Sequence, residues 1–406
     1  MISFETIRLL SCFISLIVLC MMSGSFGSNI FKGVPMNKKV IYCGPFDTHG
    51  GYKGGIHVVS NLFFENYTNS RSSYDVNVVS FNTVATKRRK EKVGKINFQN
   101  IRNFCLVKKE LIKLVSILSP KCVYYNTSYG FPLLKDLLIV NSVKKRKVPV
   151  VVHIHFAELD KILPKFLRNL TLSLLKKMDR IVFLSERTQN EFITYGIKKE
   201  KTAVLYNFHD VECSLEEKQQ KSNRKRDILK LLFIGSIDDR KGIFDLLTAL
   251  KNVNRPFVLN VCGEFGDSRA KQRFDSLRAT LVGKEIIYYG YVSGEEKRRI
   301  MLDSDILVLP SYGEGLPLVV LEGLATGCAI LSSNVGANPE IVKNENGKLI
   351  NPGDILALTN YIQNVDDEQL NNYATINFEY SNNYSLHKFV NGVVSILDEV
   401  IYESDS

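Results

Sequence analysis

The chain reads as an α/β protein built from two doubly wound parallel-sheet domains that face a cleft. Three observations lead there. Short apolar, branched runs recur from Lys39 to Ser332, most of them followed by an amphipathic stretch of helical length, the alternation that places helices on both faces of a parallel sheet. The runs fall into two groups, separated by the polar stretch Glu212 to Asp227, which lacks apolar periodicity and reads as a linker. One run, Ile306-Leu307-Val308-Leu309, opens into Pro310–Gly323, a segment that carries two glutamates at the carboxyl end of a strand, where such sheets bind ligands.

Taken in order, the chain begins with an apolar stretch, Leu9 to Met22, preceded by the single basic residue Arg8. It is shorter than the roughly 20 residues of a membrane span and resembles a signal core or a marginal anchor. Met36 stands just before the first strand, so residues 1–35 are expected to be an anchor, a signal-like segment or a mis-called start. Strands are expected at Lys39–Cys43, Val76–Ser80, Cys122–Asn126, Val148–Ile154, Arg180–Leu184 and Thr202–Tyr206. After the linker they are expected at Lys230–Ile234, Phe257–Cys262, Glu285–Tyr289, Ile306–Leu309 and Ala329–Ser332. Leu386 to Ile401 is apolar at helical spacing and reads as a closing helix packed back on the first domain. The expected organisation is therefore 36–210, a linker at 211–229, 230–380, and a C-terminal helix within 381–406.

The net charge of +11 is unevenly spread. Residues 1–210 hold 32 Lys+Arg against 14 Asp+Glu, giving +18, and residues 211–406 hold 21 against 28, giving −7. Clusters such as Lys87-Arg88-Arg89-Lys90, Lys144-Lys145-Arg146-Lys147 and Lys176-Lys177 imply an anionic partner or a solvated surface. No zinc-finger spacing, aromatic sheet motif or basic zipper is present, which argues against nucleic acid and favours a membrane face or lipid phosphate. The eight cysteines include no Cys-x-x-Cys pair and read as buried reduced thiols. Four Asn-x-Ser/Thr sequons, beginning at Asn66, Asn126, Asn169 and Asn383, carry no weight in a cytosolic chain.

The chemistry sits at strand ends. Glu314 follows a buried strand. Glu322 lies in the helix after it, about 7 Å further along the axis at roughly 1.5 Å per residue. Pro317 between them suits a first helical turn. The helix start seats phosphate, one carboxylate can grip sugar hydroxyls and the other ribose hydroxyls; the alternative is a surface helix with two solvated glutamates. After Ile234 come Gly235, Ser236 and then Arg240-Lys241-Gly242, which supply fixed cations where a diphosphate would sit, or else a solvated helix entry. The loop from Gly44 through Gly50-Gly51 to Gly54 and Gly55 precedes a helix and either lets backbone approach a phosphate or sugar or is a plain flexible loop; it fits neither a dinucleotide fingerprint nor a Walker loop. His153 and His155 share one side of a strand, with no third metal ligand apparent, so a core histidine is the other fate. Asp303-Ser304-Asp305 has the form of a metal clamp but lies at the amino end of its strand, away from the cleft, and reads as a turn.

Together these residues resemble the retaining glycosyltransferases of family 4, which have the GT-B fold of two Rossmann-like domains. The likeness spans about residues 38–400. It is strongest at Pro310–Val342, with Glu-x7-Glu at Glu314 and Glu322, then Ala325–Ile330, Gly336 and Pro339-Glu340-Ile341-Val342. The Gly54-Gly55 loop, His155, Ser185-Glu186, Asn207–Asp210, Gly235, Lys241-Gly242, Gly263 and Gly290-Tyr291-Val292 follow in the family's order. The resemblance implies that Glu314 holds the transferred sugar, that Glu322 takes the ribose, and that Arg240 and Lys241 neutralise the departing diphosphate with help from amides around Leu318 and Val319. It further implies that Tyr291 and Val292 lie near the base, that Gly235, Ser236, Gly263, Gly315 and Leu316 line the donor site, that His155 assists from across the cleft, and that no metal or other cofactor is needed. Two departures stand out: Ser236 where the family often has Arg, and Phe208 where it usually has Gly.

The expected activity is transfer of a hexose-type sugar from a UDP-sugar, or next a GDP-sugar, with retention at the anomeric carbon. The acceptor is expected to be a saccharide or a polyprenyl-diphosphate-linked saccharide at the inner face of the cytoplasmic membrane, as in surface-polysaccharide assembly. Nucleotide-sugar 2-epimerases share the fold, but the Glu-x7-Glu segment argues against them. A degenerate sugar-nucleotide-binding protein would have lost Glu314, Glu322 or Lys241, and all three are present.

Overall fold

The computed structural model describes residues 38–46, 54–70, 73–84, 98–127, 131–157, 159 and 164–405. The apolar stretch at 9–22, the basic cluster at 87–90 and Gly50-Gly51 lie outside them. The described chain forms two six-stranded sheets in which every pair of neighbours is parallel. The first comprises β1 (Lys39–Gly44), β2 (Asn77–Asn82), β3 (Cys122–Asn126), β4 (Val150–Ile154), β5 (Arg180–Phe183) and β6 (Thr202–Val204) in the order β2-β1-β3-β4-β5-β6. The second comprises β7 (Leu229–Ile234), β8 (Phe257–Cys262), β9 (Glu285–Gly290), β10 (Ile306–Leu309), β11 (Ala329–Ser333) and β12 (Gly347–Ile350) in the order β12-β11-β10-β7-β8-β9.

Continuous apolar strands require cover on both faces. Residues of β3 and β4 are buried at every position. One face packs under helices Phe98–Leu118, Phe131–Lys144 and Lys165–Leu175 through Val107, Leu111, Leu137 and Leu175. The other lies under helix Gly55–Asn69 and the final helix Leu386–Asp405, which brings Phe389, Val393 and Leu397 against Val40, Tyr124 and Val182. The chain thus returns to its first half, as the apolar spacing predicts. Ion pairs from Arg180 to Glu399 and Glu403 (3.2 and 2.7 Å) and from Lys38 to Asp398 (3.1 Å) hold the C-terminal half of the final helix. Phe208 is buried and tilts against Phe389 with centroids 4.7 Å apart, so the aromatic residue at the hinge anchors the returning helix.

Three expectations need correction. The polar stretch read as a linker folds in its middle as helix Leu215–Ser222, started by a reciprocal capping box between Ser214 and Glu217. Its Lys221 is buried and donates to the carbonyls of Met301, Leu302 and Ser304 at the end of helix Gly294–Asp303. Strand β12 was not expected. Pro317 occupies the N-cap position, and the helix begins one residue later at Leu318. Among the described residues all cysteines are free thiols. Asp305 accepts from Arg224, Arg226 and the Lys230 amide before β10, the structural role expected of that turn.

Candidate active site

Doubly wound sheets place their crevice where the chain leaves one strand in both directions. In the first sheet that strand is β1, between β2 and β3; in the second it is β7, between β8 and β10. The loops at these carboxyl ends are those that carry the sequence-predicted residues.

At the second switch point a single-turn 3-10 helix, Asp239–Lys241, follows β7, with Asp238 capping the Lys241 amide at 3.0 Å and receiving the Ser236 hydroxyl at 2.6 Å. Gly242 sits at φ +71°, and a Cβ there would lie 2.0 Å from the Pro310 carbonyl, so only glycine lets this turn lie directly on the end of β10. That contact brings Lys241 Nζ within 2.6 Å of Glu314 Oε1, with both side chains largely buried. Arg240 is exposed and does not reach the Glu314 carboxylate through any hydrogen bond among the described residues. Its guanidinium donates to the Gly313 carbonyl at 3.2 Å, and its own carbonyl accepts from the Tyr312 amide at 2.8 Å, fastening the loop that presents Glu314. Lys241 and Arg240, paired in the sequence argument, therefore meet the same loop differently, Lys241 at the Glu314 carboxylate and Arg240 at the Gly313 carbonyl.

Backbone lies on backbone around this pair. Gly263, at φ +147°, would place a Cβ 1.8 Å from the Gly235 carbonyl, and its amide donates to the Gly290 carbonyl at 2.6 Å. The ends of β7, β8 and β9 are joined in this way into one wall, beyond which Tyr291 is exposed and Val292 buried. Helix Leu318–Ala325 has no side-chain cap, leaving its first turn, with Leu318 and Val319, open to an anion. Leu316 is buried and its carbonyl accepts from Asn207 at 2.8 Å. Glu322 is 7% exposed and meets Lys297, on helix Gly294–Asp303.

The first half supplies neutral groups. His155 Nε2 lies 2.7 Å from Asn126 Oδ1, and the Asn126 amide nitrogen donates to the Cys43 carbonyl at 3.1 Å. That second bond fixes which way the amide points, so Nε2 carries the proton and Nδ1 is left as an acceptor. Burial pushes His155 down to about 3. His153, 4.1 Å away ring to ring, is lowered well below its ordinary value by burial first and His155 second, and it bonds Tyr124 through Nδ1 at 2.8 Å. Gly54 caps helix Gly55–Asn69 in extended conformation without a side-chain bond, and Gly55 has open space beside it. Among the described residues no group of three or more His, Cys, Asp or Glu could hold a metal ion.

The two halves touch across the cleft. A Cβ on Gly315 would stand 2.7 Å from the His155 carbonyl and 3.1 Å from Leu184. Glu340 accepts from the Glu186 and Arg187 amides (2.9 and 2.6 Å) and from the Tyr206 hydroxyl (2.8 Å), capping helix Glu186–Thr194 from the opposite half. Arg187 donates to Asn334 at 3.1 Å. Sequence reasoning missed Lys297 and the roles of Asn126 and Glu340; Asn126 stood at an expected strand end and Glu340 in a segment singled out beforehand, whereas nothing marked Lys297.

A family model described as Glycosyltransferase Family 4 matches residues 70–212, and one described as Glycosyl transferases group 1 matches residues 214–377. The chain is 24% identical over 312 residues to an uncharacterised 41.2 kDa protein in the cps region of Klebsiella pneumoniae, covering 74% of this chain and 83% of that one. It is 30% identical over 167 residues to a putative teichuronic acid biosynthesis glycosyltransferase of Bacillus subtilis, covering 41% of this chain and 40% of that one. Among solved structures, Anabaena HepE in complex with UDP-glucose superposes with a TM-score of 0.68 at 16% identity, covering 89% of this chain and 99% of that one, a likeness of fold.

Proposed function

The chain belongs to the family 4 glycosyltransferases with the GT-B fold, and from that premise we propose that it moves a hexose-type sugar from a UDP-sugar, or failing that a GDP-sugar, to a saccharide acceptor with retention. The observation that carries this reading is the Lys241–Glu314 pair at the β7/β10 switch point. In the reaction the anomeric C–O bond to the diphosphate breaks while the acceptor oxygen bonds to the same carbon from the same face, and the acceptor's hydroxyl proton passes to the departing phosphate oxygen. Negative charge develops on the departing phosphate, and the group best placed to meet it is the Lys241 ammonium, with the open first turn of helix Leu318–Ala325 beside it. Glu314, freed from full pairing, accepts sugar hydroxyls. Arg240 contributes by holding the Glu314 loop, and its charge stands at the rim. His155 Nδ1 accepts a sugar hydroxyl from the other wall; as a neutral group it orients and does not neutralise. Charge stabilisation falls to these side chains and amides, so the reading needs neither metal nor other cofactor.

HepE, whose structure holds UDP-glucose, shares this fold, which supports UDP as the first nucleotide to try. Assay of the purified chain against UDP- and GDP-sugars, with the product anomer read by NMR, tests the reading; turnover with inversion, or no turnover of any donor, would sink it.

The acceptor is placed on the basic half. Helix Lys165–Leu175 presents Phe166 (61% exposed) and Leu170 (39% exposed) one turn apart, flanked by exposed Lys165, Lys176 and Lys177. It is the next helix of known bounds after β4. Among the described residues no helix is long and apolar enough to cross a membrane. An amphipathic face of this kind suits peripheral docking on an anionic bilayer, which would deliver a polyprenyl-diphosphate-linked saccharide to the cleft. Flotation with anionic vesicles should be lost on Phe166→Glu and weakened by salt; unchanged flotation of that variant removes this helix from the account.

A further inference from the structure

His155 has one open nitrogen, and a side chain that no ligand can reach decides what that nitrogen does. The Cys43 carbonyl can only accept, so the Asn126 atom 3.1 Å from it is the amide nitrogen. Asn126 Oδ1 then faces His155 Nε2 at 2.7 Å and accepts its N–H. Burial pushes His155 down to about 3, so the ring is neutral and carries a single N–H. With that N–H spent on Asn126, Nδ1 is a lone pair without a partner among the described residues. The neighbouring His153 keeps its Nε2 sealed, whereas His155 is only half-buried.

Asn126 is held in one orientation. It is 2% exposed, and a flipped amide would lose its bond to Cys43 and set two oxygens face to face. A Cβ on Gly44 would lie 2.3 Å from Ser60 Oγ and 3.3 Å from Asn126 Nδ2, so the end of β1 and helix Gly55–Asn69 close over the amide. On the other side, a Cβ on Gly315 would stand 2.7 Å from the His155 carbonyl. Glu314 is the residue before Gly315, so the imidazole and that carboxylate border one part of the cleft, and both only accept.

We propose that Asn126 is a positioning residue for donor-sugar selection: it fixes His155 in the Nε2–H tautomer, so that Nδ1 takes a sugar position bearing a hydroxyl and refuses one whose substituent can only accept, such as fluorine, a carboxylate or a carbonyl oxygen. The inference rests on reading His155 as a sugar-facing group of a nucleotide-sugar site. Asn126 acts through the imidazole and touches no substrate.

The tautomer is read by nitrogen NMR of the full chain labelled in its six histidines. The signal that disappears in His155→Gln should show a protonated Nε2 and a bare Nδ1 at neutral pH. Asn126→Leu should replace it by an averaged pattern, and unchanged calorimetric affinity for UDP shows that this variant is folded. Selection is read by calorimetry with UDP-glucose and its analogues in which each glucose hydroxyl in turn is replaced by hydrogen or by fluorine. At the position whose penalty vanishes in His155→Phe, both replacements should weaken wild-type binding about ten-fold, the worth of one hydrogen bond. In Asn126→Leu the fluoro analogue should recover several-fold over the deoxy one, because some rings now offer it an N–H. A wild-type ring protonated at Nδ1, alone or at both nitrogens, overturns the proposal. So does a fluoro analogue bound as tightly as its parent at that position, an unchanged tautomer in Asn126→Leu, or the lack of any position whose penalty depends on His155. Wild-type chain that binds neither UDP nor UDP-glucose overturns the UDP-donor reading instead, and the spectrum still decides the tautomer.

Discussion

The two walls of the cleft are built on opposite electrostatic plans, and both run against the bulk charge of the halves that bear them. The second half is net acidic, yet it presents lysines: Lys241 on Glu314 and Lys297 on Glu322. The first half is strongly basic, yet at the cleft it presents a neutral set: His153 bonded to Tyr124, half-buried His155 bonded to Asn126, and the two imidazole rings in contact. Net charge therefore says little about the groups that line the cleft. The wall that must meet a departing diphosphate holds charges in ready-made pairs, so a ligand exchanges one partner for another and no bare ion is ever buried. The other wall, which in the proposed reaction would meet hydroxyls, holds oriented neutral donors and acceptors.

The largest expected effect tests that division directly. Lys241→Ala should lower kcat by about a hundred- to a thousand-fold, the usual cost of removing one group that stabilises developing charge. His155→Ala should cost only about ten-fold, the worth of one neutral hydrogen bond. Steady-state kinetics on the two variants decides the matter. Equal losses in kcat would mean that the first wall also carries charge in the transition state, and the contrast drawn here would fail.

Between the walls stands the Glu340 clasp. A carboxylate on a helix N-terminus, with two amides and a hydroxyl donating to it, is a charge-assisted arrangement worth about 1–2 kcal/mol at a partly exposed position. Glu340→Ala should shift the balance of closed over open cleft by about ten-fold. The radius of gyration from small-angle scattering should grow in the unliganded variant, and donor KM should rise several-fold. An unchanged radius together with unchanged KM would show that closure rests on other cross-cleft contacts, such as Gly315 against His155.

How much of this could be read beforehand follows from where the information sits. Strands β3, β8 and β10 match their expected limits because strands largely buried on both faces write themselves as short, mostly apolar runs. β12 escaped because Gly347-Lys348-Leu349-Ile350 has neither run nor alternation; its Gly347 is there because a Cβ would lie 2.2 Å from the Ile330 carbonyl. Helix Leu215–Ser222 escaped because it is polar on nearly all sides and its one buried side chain is a lysine. Glu314 and Glu322 were legible from spacing, since strand-end and helix positions are local facts. Their partners were not. Lys297 meets Glu322 across 25 positions of sequence and Glu340 meets Glu186 across 154, and nothing local marks either contact.

The smallest effect concerns the neutral wall at rest. His155 is pushed down to about 3, and His153 is lowered as well, both by burial first. In the unfolded chain each takes a proton near its ordinary value of about 6.5. Below that pH the unfolded state binds protons that the folded state refuses, so stability is complete above about 6.5 and declines as pH falls toward the folded values. Glu217, held low by Arg298, loses its contribution in the same direction, but only below its ordinary value of 4.5. Denaturant unfolding between pH 6.5 and 5 therefore isolates the histidines. The slope of stability against pH should approach about two protons in the wild type, and His155→Asn should remove about one of them. A slope unchanged in that variant would mean that His155 takes up its proton within the fold, and the wall it stands on could not be called neutral.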